Sequence, residues 1–207
     1  GIGMGRTVSS ILEHMIPRKL DNITVRTLAG AYEQPGVHSN AYNIAWRLAD
    51  LLDATCEQLY CPLIVPNKTT RKALLKDRTL SELLRSVCEC DLALVGLGAM
   101  DSDSPLIRLG YVSPDQLAEL RSKGAAGEIL GRFYDFDGQA LETGFDGRSL
   151  GIDLPQLCGI ETVIALAHGA NKVGPMLGAL RSGCLDVLIT DRWTAESVLV
   201  RDGLKPG

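Results

Sequence analysis

Three glycine-rich segments in this chain each carry a cationic side chain, and glycine beside a cation lets a backbone approach an anion closely. In Gly3-Met4-Gly5-Arg6-Thr7, Arg6 and Thr7 add donors where a helix begins. A phosphate or a polyol hydroxyl suits this loop, and so does a plain tight strand-to-helix turn. Gly96-Leu97-Gly98 is followed by Asp101, Asp103 and Arg108. The acids could accept sugar hydroxyls, hold a hard cation, act as a base, or simply be solvated, and Arg108 could neutralise a phosphate. In His168-Gly169-Ala170-Asn171-Lys172 the lysine is placed to meet an anion, with a Schiff base to an aldehyde as its lesser chemistry. Glu128, after the small-residue run Gly124-Ala-Ala-Gly127, is a surface carboxylate or an acceptor of ligand hydroxyls.

Other chemistries find no support. The first glycine loop has Arg6 where a dinucleotide fingerprint needs its third glycine, and no acidic residue ends the next strand. His14, His38 and His168 stand in unlike contexts, so no triad, Cys-His pair or metal cluster is indicated, and no cofactor is expected. The six cysteines (Cys56, Cys61, Cys88, Cys90, Cys158 and Cys184) read as reduced cytosolic thiols packed as small hydrophobes.

The elements that must position these groups follow from hydrophobic patterning. Gly1 to Thr7 reads as a strand end and turn, with Thr7 capping a helix through Val8, Ile11, Leu12, Met15 and Ile16. Because the chain opens inside a structure, sequence is expected before Gly1. Ile23–Gly30 is a strand, Pro35-Gly36 a turn, and 40–52 a helix. Leu59–Val65 is an edge or bent strand because of Pro62. Thr69–Lys76 is a helical turn or two, and Thr79–Glu82 is a capping box. The apolar run Asp91–Gly98 is a buried parallel strand, and Ser113-Pro114-Asp-Gln116 opens a second capped helix. Ile129–Asp135 is a strand that ends in an Asp137-Gly138 turn. Thr162–Ala167 is a further strand, followed by a helix from about Gly174. Leu185–Thr190 is the last strand and Asp191–Val200 a closing helix.

Strands alternate with helices and are continuous aliphatic runs. This pattern predicts an α/β domain: a doubly wound, mostly parallel sheet with helices on both faces. Ligands in such sheets sit beyond the carboxyl ends of the strands, where the three glycine loops lie.

Composition bounds the rest. The 207 residues suit one domain that buries about 70% of its unfolded surface. A hydrophobic share of 45% and a charged share of 22% exclude a disordered chain. The 22 glycines exceed the usual share of about 7%, while aromatics are only 5%. A net charge of −4 leaves no electrostatic footprint for nucleic acid, and no apolar run is long enough for a membrane helix. No signal peptide opens the chain, so a cytoplasmic location is expected.

Four segments together resemble a known family: Gly1–Thr7, Asp91–Gly98, Gly124–Asp135 and Ala179–Ala195. They are similar to the effector-binding domain of SorC/DeoR-type sugar-binding transcriptional regulators, from Gly1 to about Leu199. The resemblance implies a fold similar to the ribose-5-phosphate isomerase, glucosamine-6-phosphate deaminase and CoA-transferase-like group. It implies sensing of a phosphorylated sugar or polyol without turnover, with a sugar-phosphate isomerase or deaminase as the alternative. It also implies a homodimer or homotetramer, and operator DNA bound only through an N-terminal helix-turn-helix domain that this chain lacks. Carried over by position, the effector would meet Gly3, Gly5, Arg6, Thr7, Gly30, Asn40, Gly98, Asp101, Arg108, Glu128 and Lys172. Where many members have Gly-Gly before the lysine, this chain has His168-Gly169-Ala170, a departure compatible with an unphosphorylated polyol.

Overall fold

The computed structural model describes residues 1–32 and 40–205. The turn expected at Pro35-Gly36, and His38, lie outside the described residues.

Ile2 joins the two halves of the main sheet. Its N–H donates to the Arg26 carbonyl at 2.7 Å, and its own carbonyl accepts from the Leu28 N–H at 3.0 Å. On the other side, the Gly3 N–H donates to the Leu94 carbonyl at 2.8 Å, and the Leu94 N–H to the Gly1 carbonyl at 2.9 Å. Both pairings are parallel. This short opening strand links β1 (Thr24–Arg26) and β2 (Thr55–Glu57) to β3 (Leu92–Gly96). The sheet continues from β3 through β7 (Thr162–Leu166) to β8 (Val187–Ile189), all parallel. The order β2, β1, opening strand, β3, β7, β8 is that of a doubly wound sheet, as the sequence predicted. Its winding reverses between the opening strand and β3.

Helices cover both faces. Helices α1 (Arg6–Ile11) and α2 (Ala41–Leu52) enclose Ile2, Val8, Leu12, Val25, Ile44 and Leu166. The larger core on the other side takes in α4 (Arg78–Val87), α6 (Pro114–Ser122), α7 (Leu154–Cys158) and α8 (Val173–Arg181). The short helices α3 (Lys68–Leu74) and α5 (Pro105–Arg108) lie in the connections, and α9 (Arg192–Arg201) packs on α8.

A second sheet was not foreseen. It consists of β4 (Gly98–Ala99), β5 (Ala125–Ile129) and β6 (Arg132–Asp135), antiparallel in that order. The hairpin between β5 and β6 turns on Leu130 (φ 54°) and Gly131 (φ 75°), the left-handed pair that two-residue hairpins favour. Small residues such as Ala125-Ala126-Gly127 have little strand preference of their own, so packing decides. The Tyr134 ring lies over Gly127, where a Cβ would come within 2.6 Å of its hydroxyl, and that hydroxyl donates to the Pro175 carbonyl at 3.0 Å.

Local details also differ from expectation. Gly5, not Thr7, precedes α1, which makes Arg6 its first residue. Asp77, not Thr79, caps α4 by accepting from the Leu80 N–H at 2.8 Å. Ser113 and Gln116 do form the expected reciprocal box. The 59–65 segment makes only isolated pairings, at Pro62 and Ile64. The reading of six free thiols is corrected for one pair. Cys158 and Cys184 form a disulfide, because each stands just before a strand and those strands, β7 and β8, are parallel neighbours. Cys61 and Cys90 are free and buried, and Cys56 and Cys88 free and half-buried. Among the described residues no helix is long and apolar enough to cross a membrane.

Ile2 is fully buried at the joint of the sheet. Ile2→Ala should therefore cost about 2–5 kcal/mol, read as a lower denaturant midpoint at an unchanged slope.

Candidate functional site

At the reversal point the loops after the opening strand and after β3 diverge, and a cavity of about 100 Å³ opens between them. This is well above the roughly 10–15 Å³ that admits one water, so the cavity has room for several waters or a small polar ligand. The structure brings seven of the sequence-selected residues to its wall: Gly5, Arg6, Thr7, Gly98, Asp101, Glu128 and Lys172.

Each is positioned by a different element. Gly5 holds φ 124°, a left-handed value that favours glycine, and nothing lies within 4 Å of where its Cβ would be. Arg6 and Thr7 follow as the first turn of α1. Glu128 stands on β5 directly opposite Gly98 on β4. Any Cβ at Gly98 would overlap the Glu128 carboxylate, so the glycine makes room for the acid. Glu128 Oε2 accepts the Gly131 N–H at 2.7 Å across the hairpin turn. Lys172 ends a 3-10 turn, Ala170–Lys172, and its Nζ donates to the Leu97 carbonyl at 2.7 Å. Asp101 accepts from Asn171 Nδ2 at 2.8 Å and from the Asp103 N–H at 3.0 Å, which clasps the β4 loop to the same 3-10 turn.

Glu128 and Lys172 share a poorly solvated space. Burial raises the Glu128 carboxyl above its ordinary range, more than the Gly131 hydrogen bond and the Lys172 charge lower it. Burial lowers the Lys172 ammonium, with Arg6 adding to the effect while Glu128 and Asp101 oppose it. Tyr32, which sequence reasoning passed over, also lines the cavity, and burial with help from Glu128 pushes its hydroxyl up. Its signal was its place two residues after Gly30, at the carboxyl end of the second strand.

Four selected residues lie outside the cavity lining. A Cβ at Gly3 would press on Leu130 at 3.2 Å, and one at Gly30 would come within 2.5 Å of the Cys61 carbonyl, so both glycines serve close packing. The Asn40 side chain caps α2 by accepting from the Asn43 N–H at 2.9 Å. Arg108 is exposed in the last turn of α5. Among the described residues no group of three His, Cys, Asp or Glu could hold a metal. The wall thus presents three carboxylates (Asp101, Asp103 and Glu128) as hydroxyl acceptors beside cationic and hydroxyl donors, a set matched to a polar ligand that combines hydroxyls with an anionic group.

A family model described as "Putative sugar-binding domain" matches residues 1–200. The erythritol catabolism regulatory protein EryD of Brucella abortus is 30% identical over 200 residues, covering 96% of this chain and 62% of that protein. Among solved structures, the "Putative Sugar-Binding Domain of Transcriptional Repressor from Vibrio fischeri" is 31% identical with a TM-score of 0.87, over 98% of this chain and 79% of that one. The full-length sorbitol operon regulator SorC from Klebsiella pneumoniae is 25% identical with a TM-score of 0.88, over 96% and 65%. The chain spans about three fifths of the length of the curated relatives it matches.

The raised Glu128 pKa has a signed consequence for stability. Below the ordinary glutamate range the residue is protonated folded or unfolded, and its contribution is fully present. As the pH rises through the elevated folded value, the buried charge appears and that contribution is lost. Glu128→Gln should melt higher than the parent at alkaline pH, with the gap closing on acidification, as followed by thermal melts across pH.

Proposed function

The chain belongs to the family of sugar-binding domains found in SorC/DeoR-type transcriptional regulators, and on that premise we propose that its cavity senses a phosphorylated sugar or related polyol without turning it over. One observation carries this: carboxylates (Glu128, Asp101) and cations (Arg6, Lys172) brought by separate segments of the chain meet in one small cavity at the sheet reversal. Glu128 and Asp101 would accept ligand hydroxyls. Arg6, Thr7 and Lys172 would take the anionic or most electron-rich end.

In this proposal the domain works in the cytoplasm as a homodimer or homotetramer and controls operator binding by a helix-turn-helix domain outside this chain. Control requires that the effector bind two arrangements of the domain with different affinity. The fold is proposed to group with ribose-5-phosphate isomerase and glucosamine-6-phosphate deaminase, on the support of its strand order and crevice.

An isomerase or deaminase of that fold would need a free, positioned base. Both Asp101 oxygens already accept hydrogen bonds, from Asn171 and from the Asp103 backbone, Asp103 itself is exposed to solvent, and among the described residues no histidine lines the cavity. That favours a sensor.

A thermal-shift panel of sugar phosphates and free polyols tests the proposal. An effector at about a hundredfold excess over Kd adds about 2.7 kcal/mol of apparent stability. Lys172→Ala and Arg6→Ala should each weaken the responding ligand about 10- to 100-fold, the size of a hydrogen bond to a charged group, while the ligand-free domain stays folded. Unchanged affinity in both variants places the site elsewhere, and consumption of the ligand makes the protein an enzyme.

A further inference from the structure

Two side-chain hydroxyls on the cavity wall make no hydrogen bond to any of the described residues. They belong to Tyr32, 4% exposed, and Ser104, 6% exposed. The Tyr32 ring packs into the larger core, and Glu128 and Arg6, which line the same cavity, are among the groups that act on its hydroxyl. Ser104 stands immediately before α5, where a serine side chain ordinarily accepts a hydrogen bond from the helix. Ser113 does so before α6, from the Gln116 N–H at 3.1 Å. The Ser104 hydroxyl makes no such bond. Its main chain is nevertheless fixed: the Ser104 N–H donates to the Asp101 carbonyl at 3.2 Å, and its carbonyl accepts from the Ile107 and Arg108 N–H groups at 3.0 Å. The position of this hydroxyl is set while its bonding is left open.

A buried hydroxyl without a partner costs stability, and native structures pair nearly all of them. Two in one cavity are therefore groups whose partners come from the cavity side. A hydroxyl both donates and accepts. Beside Tyr32, Glu128 Oε2 is taken by the Gly131 N–H, while Oε1 accepts from none of the described residues. A ligand hydroxyl that meets Tyr32 and Glu128 together is matched at its oxygen by the phenol and at its hydrogen by the carboxylate. An ionised phosphate oxygen, having no hydrogen, is matched only by the phenol, and a C–H by neither.

We propose that Tyr32 and Ser104 are the specificity-determining contacts of this cavity, each bonding one hydroxyl of a polyhydroxylated ligand and rejecting analogues that lack it. This rests on the sensing role proposed above and names the part of the ligand that is read.

The test is calorimetric titration of ribose 5-phosphate, glucose 6-phosphate, sorbitol 6-phosphate, free sorbitol and free erythritol into the parent, Tyr32→Phe and Ser104→Ala. Each variant should bind the responding compound at least about fivefold more weakly, the cost of leaving a polar partner unpaired. Without ligand, each should melt at the parent's temperature or above it, because the hydroxyl removed had no partner to lose. Singly deoxygenated analogues of the responding compound complete a cycle: the analogue that loses at least about fivefold on the parent should lose no more than about twofold on the variant whose hydroxyl read that position. Unchanged affinity in either variant, or a cycle without coupling, overturns the proposal and leaves the sensing role standing. A lower ligand-free melting temperature in either variant also overturns it, since that hydroxyl then already holds a partner within the protein. If none of the five compounds binds the parent, the sensing role fails and this proposal fails with it.

Discussion

Ile2 and Gly3 are held between two strands whose crossover helices leave in opposite directions. Four backbone hydrogen bonds, between 2.7 and 3.0 Å, seat this short strand between the Arg26–Leu28 segment and Leu94. Because winding reverses there, the chain leaving Gly3 and the chain leaving Gly96 turn to opposite faces and cannot fill the space between them. The cavity follows from topology, and side chains decide only its character. The glycines let the backbone turn away at once. At Gly5 a positive φ is required, and nothing projects from it into the opening.

The second sheet brings one carboxylate to the cavity. Strands β4, β5 and β6 fold back over the end of the main sheet and carry Glu128 into a space that raises its proton affinity. Lys172 arrives from the other side with its own proton affinity lowered. Each group is disfavoured in its charged form by the same poor solvation, and each partly relieves the other.

The parallel strands were legible in the sequence because they are continuous aliphatic runs, and the glycine loops because cations follow them. The hairpin of β5 and β6 was hidden, since its first strand is Ala-Ala-Gly and its pairing is dictated by the Tyr134 ring and Pro175, far away in the chain. Gly3 and Gly30 resembled ligand-binding glycines, yet their missing side chains make room for Leu130 and for the Cys61 carbonyl. Glycine serves a ligand and a close backbone approach equally, so its residue type could not tell them apart. Tyr32 was passed over because an aromatic after a strand end has no periodicity to mark it. The Cys158–Cys184 pair depends on the neighbouring of β7 and β8, which no spacing along the chain reveals.

The Lys172 amine is not idle in the ligand-free domain, because it donates to the Leu97 carbonyl. A ligand anion that draws the amine away leaves that carbonyl, from a residue only 5% exposed, in need of a new donor. A ligand carrying a hydroxyl within reach of it loses nothing in the exchange. A ligand without one leaves a buried acceptor unpaired, at about 1–3 kcal/mol, which is discrimination of roughly five- to more than a hundredfold. Under the proposed reading, selectivity between otherwise similar anions would be exercised by main-chain oxygen, at a position where changing the side chain leaves the discriminating atom in place.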